Sequence, residues 1–294
     1  MYDLIKDKKL IFVTGKGGVG KTTITCALAM GLANQGKKVL AAEVSSDHKL
    51  KRIYENALKE ESLPFDVMNI DYKEALADYI LTQVKIGLLR NMIVSNKILK
   101  YFFDMAPGVY EVMVLYRLMN LCKESKYDHI IFDSPAFGHG LALLRAPNIL
   151  RKFIKLGPLK TLLDNVTSSI YSESSGLVFV TLSKKTPIEE TIDFYHQFQN
   201  EKIIPLTSVV ANLIYPEING RNNGDSQNLS FSKNELDILK FFKKISKDRL
   251  KNQKEQIEFL ESQIEAKVFK ASFTSESVFK YFGMKRIAAE VLGL

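Results

Sequence analysis

Residues 15–22 read Gly15-Lys16-Gly17-Gly18-Val19-Gly20-Lys21-Thr22, with Thr23 next, and few eight-residue runs restrict a fold as tightly. The run satisfies the phosphate-loop pattern G-x-x-x-x-G-K-[ST]. It lies between a short apolar strand, Lys9–Thr14, and a helical pattern from Thr22 to about Asn34. Glycines let successive backbone N–H groups turn inward around a phosphate, and the following helix N-terminus adds partial positive charge. Lys21 is placed to meet the β- and γ-phosphates as a point charge, and the Thr22 hydroxyl suits Mg²⁺. Gly36 reads as the helix C-cap, and Lys38–Glu43 as a second strand. Strand, glycine turn, helix and strand make a βαβ unit, whose parallel sheet must be covered on both faces. The bland alternative, a glycine turn without a ligand, does not explain the lysine and threonine at these spacings.

Four further apolar, β-branched or aromatic runs read as strands: His129–Asp133, Leu177–Thr181, Thr207–Asn212 and Ala266–Lys270. The expected fold is α/β, a doubly wound and mostly parallel sheet, with ligands at the carboxyl ends of the strands. At 294 residues the chain fits a single domain, 1–294, carrying an insertion. That insertion is expected at about 50–125, where no convincing strand is visible, joined by 145–172 as a helical subdomain. It holds five of the eight methionines: Met68, Met92, Met105, Met113 and Met119. A second helical stretch runs from Ser232 to about Gln263, after a polar loop at 219–228.

An apolar run ending in Asp133, followed by Ser134-Pro135-Ala136-Phe137-Gly138-His139-Gly140, suits the carboxylate that holds Mg²⁺ in such sites, usually through water. Gly138 would let the following loop respond to the γ-phosphate. His139 is either a reporter of nucleotide state or a structural hydrogen-bonder. Cys26 and Cys122 stand far apart with no CxxC, which argues against a disulfide framework and a one-chain zinc site. The net charge of +8 reads as lysines scattered over solvated faces. With no signal-peptide pattern at the N-terminus and no long apolar span, the chain is expected in the cytoplasm.

Lys16, near the start of K-G-G-x-G-K-T, resembles the signature lysine of the deviant Walker A ATPases. That resemblance implies an ATP-sandwiched homodimer in which Lys16 crosses to the partner's nucleotide and neutralises charge on the transferred phosphoryl group. DSPAFGHGLALLRAP (133–147), APGVYEVMVL (106–115) and FVTLSKKTPIEET (179–191) together resemble the arsenical-pump ATPase family, which includes the guided-entry ATPases that escort tail-anchored membrane proteins. The similarity covers nearly the whole chain and is closest to single-domain bacterial members. It implies ATP and Mg²⁺ as cofactors, and it places Asn212 where that family contacts adenine. Three departures stand out. The family's switch aspartate aligns with Ser45, leaving Asp47 or Glu43 to orient the attacking water. The zinc-binding CxxC of the eukaryotic branch is absent, and so is the cysteine set that binds arsenite, so neither zinc nor arsenite is expected.

Two functions of different kinds follow. In the first, a nucleotide-switched homodimer uses methionine-rich helices to hold a hydrophobic protein client. Those methionines would equally serve as core. In the second, a Min- or Par-like positioning ATPase contacts membrane or DNA, its C-terminal helix (Ser277–Leu294) acting as an interfacial anchor through Val278, Phe279, Phe282, Ile287, Val291 and Leu292. The same pattern suits a terminal helix docked on the sheet.

Overall fold

The computed structural model describes residues 1–44, 48–58, 62–83, 107–201, 203–216, 232–274 and 281–293. Among the described residues, seven parallel strands form one sheet in the order β3-β2-β4-β1-β5-β6-β7. They are β1 (Leu10–Gly15), β2 (Val39–Glu43), β3 (Asp66–Asn69), β4 (His129–Asp133), β5 (Ser175–Leu182), β6 (Leu206–Ile214) and β7 (Val268–Ser272). All six residues of β1 are buried, as a central parallel strand requires. Leu10 and Phe12 point into one apolar layer, Ile11 and Val13 into the other. The chain leaves β1 toward β2 on one side and later adds β5 on the other. This makes β1 the switch point, where α/β sheets bind ligands.

One face is covered by α2 (Lys21–Asn34), α3 (Lys49–Leu58) and the C-terminal α10 (Tyr281–Leu292), with the short α1 (Tyr2–Ile5) beside them. Every residue of α2 from Ile24 to Ala33 is buried, because the helix lies between the sheet and α10. At Gly31 the two helices come so close that a Cβ would stand 2.1 Å from Leu292 Cδ1. Met284, Ile287, Ala288, Val291 and Leu292 fill this contact. Most of the apolar side of the C-terminal helix is thus buried within the protein, whereas Phe282, in its first turn, is 63% exposed; Val278 and Phe279 lie outside the described residues. The turn ending α2 has the hydrogen bonds of a Schellman cap, Gly36 N–H to Ala33 and Lys37 N–H to Leu32.

The other face carries α4 (Tyr72–Gln83), α5 (Val109–Lys123), α6 (Phe137–Phe153), α7 (Pro158–Ile170) and α8 (Lys185–Glu201). Helices α4 to α7 pack on one another. The expectation of no strand within 50–125 is corrected by β3, an edge strand paired to β2 from Asp66 to Asn69. Its residues are only half-buried or exposed, so backbone pairing sustains it without the apolar alternation that marks a strand in sequence. Met113 and Met119 are core residues and Met68 is partly buried; Met92 and Met105 lie outside the described residues. The long α9 (Lys233–Gln263) starts at a Ser232–Glu235 capping box and reaches the body through its C-terminal half, where Ile257 and Leu260 are buried.

Candidate phosphate and metal site

The loop from Gly15 to Thr22 sits at the carboxyl end of β1 and opens α2. Gly20 takes φ 93°, and a Cβ there would lie 2.2 Å from Asn212 Nδ2, so both conformation and space demand glycine. Gly18, Gly20, Lys21, Thr22 and Thr23 line a cleft of about 480 Å³, a size in the range of ligand pockets. Sequence reading overlooked two of its cations, Lys49 and Arg52, one turn apart at the start of α3. Their i, i+3 spacing on the first helix after β2 was the signal available.

Thr22 Oγ1 donates to Asp133 Oδ2 at 2.6 Å, so the two residues expected at the metal stand together. Glu43 joins them, since it and Asp133 are register partners on adjacent strands. Both carboxyls are buried, at 1% exposure for Glu43 and 8% for Asp133. Burial pushes Asp133 up from 3.8 to about 6, with the Glu43 charge adding to the rise and Thr22 and Lys21 opposing it. Burial also raises Glu43, against the N–H of Leu50, which it accepts at 3.0 Å. Among the described residues, Asp133 Oδ1 and Glu43 Oε2 are buried without a hydrogen-bond partner. Unpartnered carboxylate oxygens are costly, and a hydrated divalent cation beside them would supply both positive charge and donors. These residues therefore fit Mg²⁺.

Lys21, half-buried, donates from Nζ to the Lys16 carbonyl at 3.1 Å, and burial lowers its pKa. Lys16 is not gathered into the cleft. Its side chain, 59% exposed, pairs with Glu190 of α8, a partner sequence reading also overlooked. Phe137, at the first turn of α6, packs edge-on against Phe194 of α8 at 4.9 Å, so the segment after Asp133 and the helix bearing Glu190 touch. Arg145 of α6 pairs with Glu201 at the end of α8. Gly138 and the exposed His139 belong to this first helical turn and not to a loop, as was expected.

Asn212 is buried in β6, and its Nδ2 donates to the Val19 carbonyl at 2.9 Å. It thereby ties the sheet to the phosphate loop. Asn212 also lines a cavity of about 650 Å³, together with Leu182, Tyr215, Arg249 and Gln253. Gln253 holds the backbone of Tyr215 from both ends, and the Arg249 guanidinium lies 4.4 Å from the Tyr215 ring. Asp47 and Ser45 lie outside the described residues. Among the described residues no helix is long and apolar enough to cross a membrane.

Comparison with known proteins agrees with this geometry. The model of the family described as anion-transporting ATPase matches residues 8–204, which contain the phosphate loop, Glu43, Asp133 and Glu190. The ATPase BagA of Mycobacterium tuberculosis is 25% identical over 224 residues, 71% of this chain and 66% of that protein. A Paramecium tetraurelia protein named ATPase ASNA1 homolog 2 is 35% identical over 167 residues, 54% of this chain and 51% of the relative. A Halobacterium salinarum protein named as an arsenical pump-driving ATPase is 28% identical over 242 residues, 74% of this chain and 37% of its own length. The chain spans between about one third and two thirds of the length of these relatives.

Proposed function

Because the chain belongs to the anion-transporting ATPase family, we propose that it binds and hydrolyses Mg-ATP as a homodimer and handles a hydrophobic protein client on its helical side. The observation carrying the ATPase reading is the Thr22–Asp133 contact beneath the phosphate loop, beside two buried carboxylate oxygens that lack partners. The loop N–H groups from Gly15 to Thr23 would cradle the phosphates, with Lys21 set against the β- and γ-oxygens. Thr22 and Asp133 would hold Mg²⁺, which when bound spreads the charge of the phosphate oxygens. Lys49 and Arg52, on the cleft wall, add positive charge for an anionic substrate.

Asp47 is assigned to orient the attacking water, ahead of Glu43. Glu43 is fully buried and already accepts the N–H of Leu50, whereas residue 47 follows the strand end. Asn212 is proposed to border the base, since the cavity next to it is large enough for one. Lys16 is proposed to leave Glu190 and reach the nucleotide of a second copy, where its charge would act on the transferred phosphoryl group.

The client reading rests on the end of α6 and the residues just after it, where Ile149, Phe153 and Leu156 are exposed by 49%, 78% and 87%. Neither arsenite nor zinc is needed for it. The Cys26 thiol is buried and pushed up, and burial pushes Cys122 up to about 11, so neither offers a ready thiolate. The test is Lys16→Ala. Mg-ATP binding should stay within about tenfold while hydrolysis is lost, because the proposed work lies in the transition state. In the wild type, rate should climb faster than protein concentration below the dimerisation constant. Full activity in a strictly monomeric protein would overturn the role in trans.

A further inference from the structure

The helix α9 changes character halfway along. From Asn234 to Ile245 every residue is exposed, before the helix meets the body around Gln253, Ile257 and Leu260. An exposed helix is ordinarily polar, yet this half carries Leu236, Ile238, Leu239, Phe241, Phe242 and Ile245 in the open, both phenylalanines at 62% exposure. At about 100° per residue, Phe241, Ile245, Ile238, Phe242 and Leu239 fall within one arc of about 160°. Lys240, Lys243, Lys244 and Lys247 occupy the opposite arc, about 100° wide, where Leu236 also falls. The capping box at Ser232 and Glu235 fixes where the helix begins, so this amphipathic stretch is built and not a frayed end.

The charges of this half are also unbalanced. Glu235 is committed to the cap and Asp237 to Lys240, at 3.3 Å. No ion pair to Lys243, Lys244 or Lys247 is found among the described residues. A groove on a partner protein would engage only the apolar arc and leave the lysine arc idle. An anionic bilayer surface uses both: aromatic and aliphatic side chains enter the acyl boundary, and the lysines of the polar face are drawn to the negative surface potential of the headgroups. Two phenylalanines amid isoleucine and leucine, with lysine on the far side, have the composition of interfacial helices. The chain's net charge of +8 acts in the same direction at long range.

We propose that the N-terminal half of α9 is an interfacial helix that docks this protein on an anionic lipid surface. This surface is distinct from the C-terminal helix, where Met284, Ile287, Val291 and Leu292 are covered, and it does not depend on the ATPase reading.

The test is co-sedimentation of the full chain with phosphatidylcholine vesicles, with and without a minority of phosphatidylglycerol. Wild type should pellet with the anionic vesicles, far less with the neutral ones, and lose that binding at high salt. Phe241→Asp with Phe242→Asp should lower the bound fraction by at least about tenfold, since charged groups resist the acyl boundary. Lys243→Glu with Lys244→Glu should abolish the preference for anionic lipid; all four positions are exposed, so thermal stability should stay as in the wild type. Equal pelleting of the wild type and the phenylalanine variant refutes the proposal. So does an oligomer in lipid-free buffer that the same variant dissociates, which would assign the face to a second copy.

Discussion

Asp133 is the residue whose replacement should separate stability from function most clearly. Its carboxyl is held at about 6 in the folded chain against an ordinary 3.8, chiefly by burial. A pKa raised on folding means that the native state holds the proton more tightly than the unfolded one. The associated stabilisation is complete below about 3.8 and is lost as pH rises through about 6. A rise from 3.8 to about 6 corresponds to about 3 kcal/mol at about 1.4 kcal/mol per pH unit. Asp133→Asn removes that burden at pH 8, keeps an oxygen to accept from Thr22, and ends the repulsion with Glu43. The nucleotide-free variant should therefore melt about 4–6 °C higher than the wild type at pH 8, given about 2 °C per kcal/mol for a chain of this size. Near pH 4 the difference should nearly vanish. Added Mg-ATP should reverse the ranking, because the wild type gains ligand stabilisation that the amide cannot support. Thermal melts at the two pH values, with and without Mg-ATP, read out all four conditions. A variant that melts lower than wild type at pH 8, or one shifted equally at both pH values, would show that Asp133 is not a strained carboxylate waiting for a cation.

Lys21→Ala should abolish tight Mg-ATP binding, measured by calorimetry; affinity like that of the wild type would remove the phosphate site from this loop. Asp47→Asn should trap bound ATP with little change in affinity, because an amide is a poor acceptor for the water's proton, while Glu43→Gln stays close to wild type. Trapping by Glu43→Gln in single-turnover assays would move that role to the strand end. Leu292→Ala, which empties the contact over Gly31, should cost about 2–4 kcal/mol in denaturant unfolding, and a loss below about 0.5 kcal/mol would mean that the C-terminal helix is not docked.

The phosphate loop was legible in the chain because its chemistry is local: the glycines, Lys21 and Thr22 act within one strand–turn–helix, and spacing alone sets their geometry. The central strands were equally plain, since burial on both faces turns β1, β4 and β5 into continuous apolar runs. Asp133 could be picked out by its place at the end of such a run. The edge strand β3 could not, for it relies on backbone pairing to β2 and its side chains are half-exposed. Equally hidden were contacts between distant segments: Glu43 beside Asp133, Asn212 under Val19, and Glu190 against Lys16 across 174 positions. The two apolar helices near the C-terminus show the division most clearly. Composition makes the C-terminal helix and the first half of α9 alike, each with aromatic and aliphatic residues among lysines. Only tertiary packing buries one against Gly31 of α2 and leaves the other open, because burial depends on what the rest of the chain brings alongside, which no local pattern encodes.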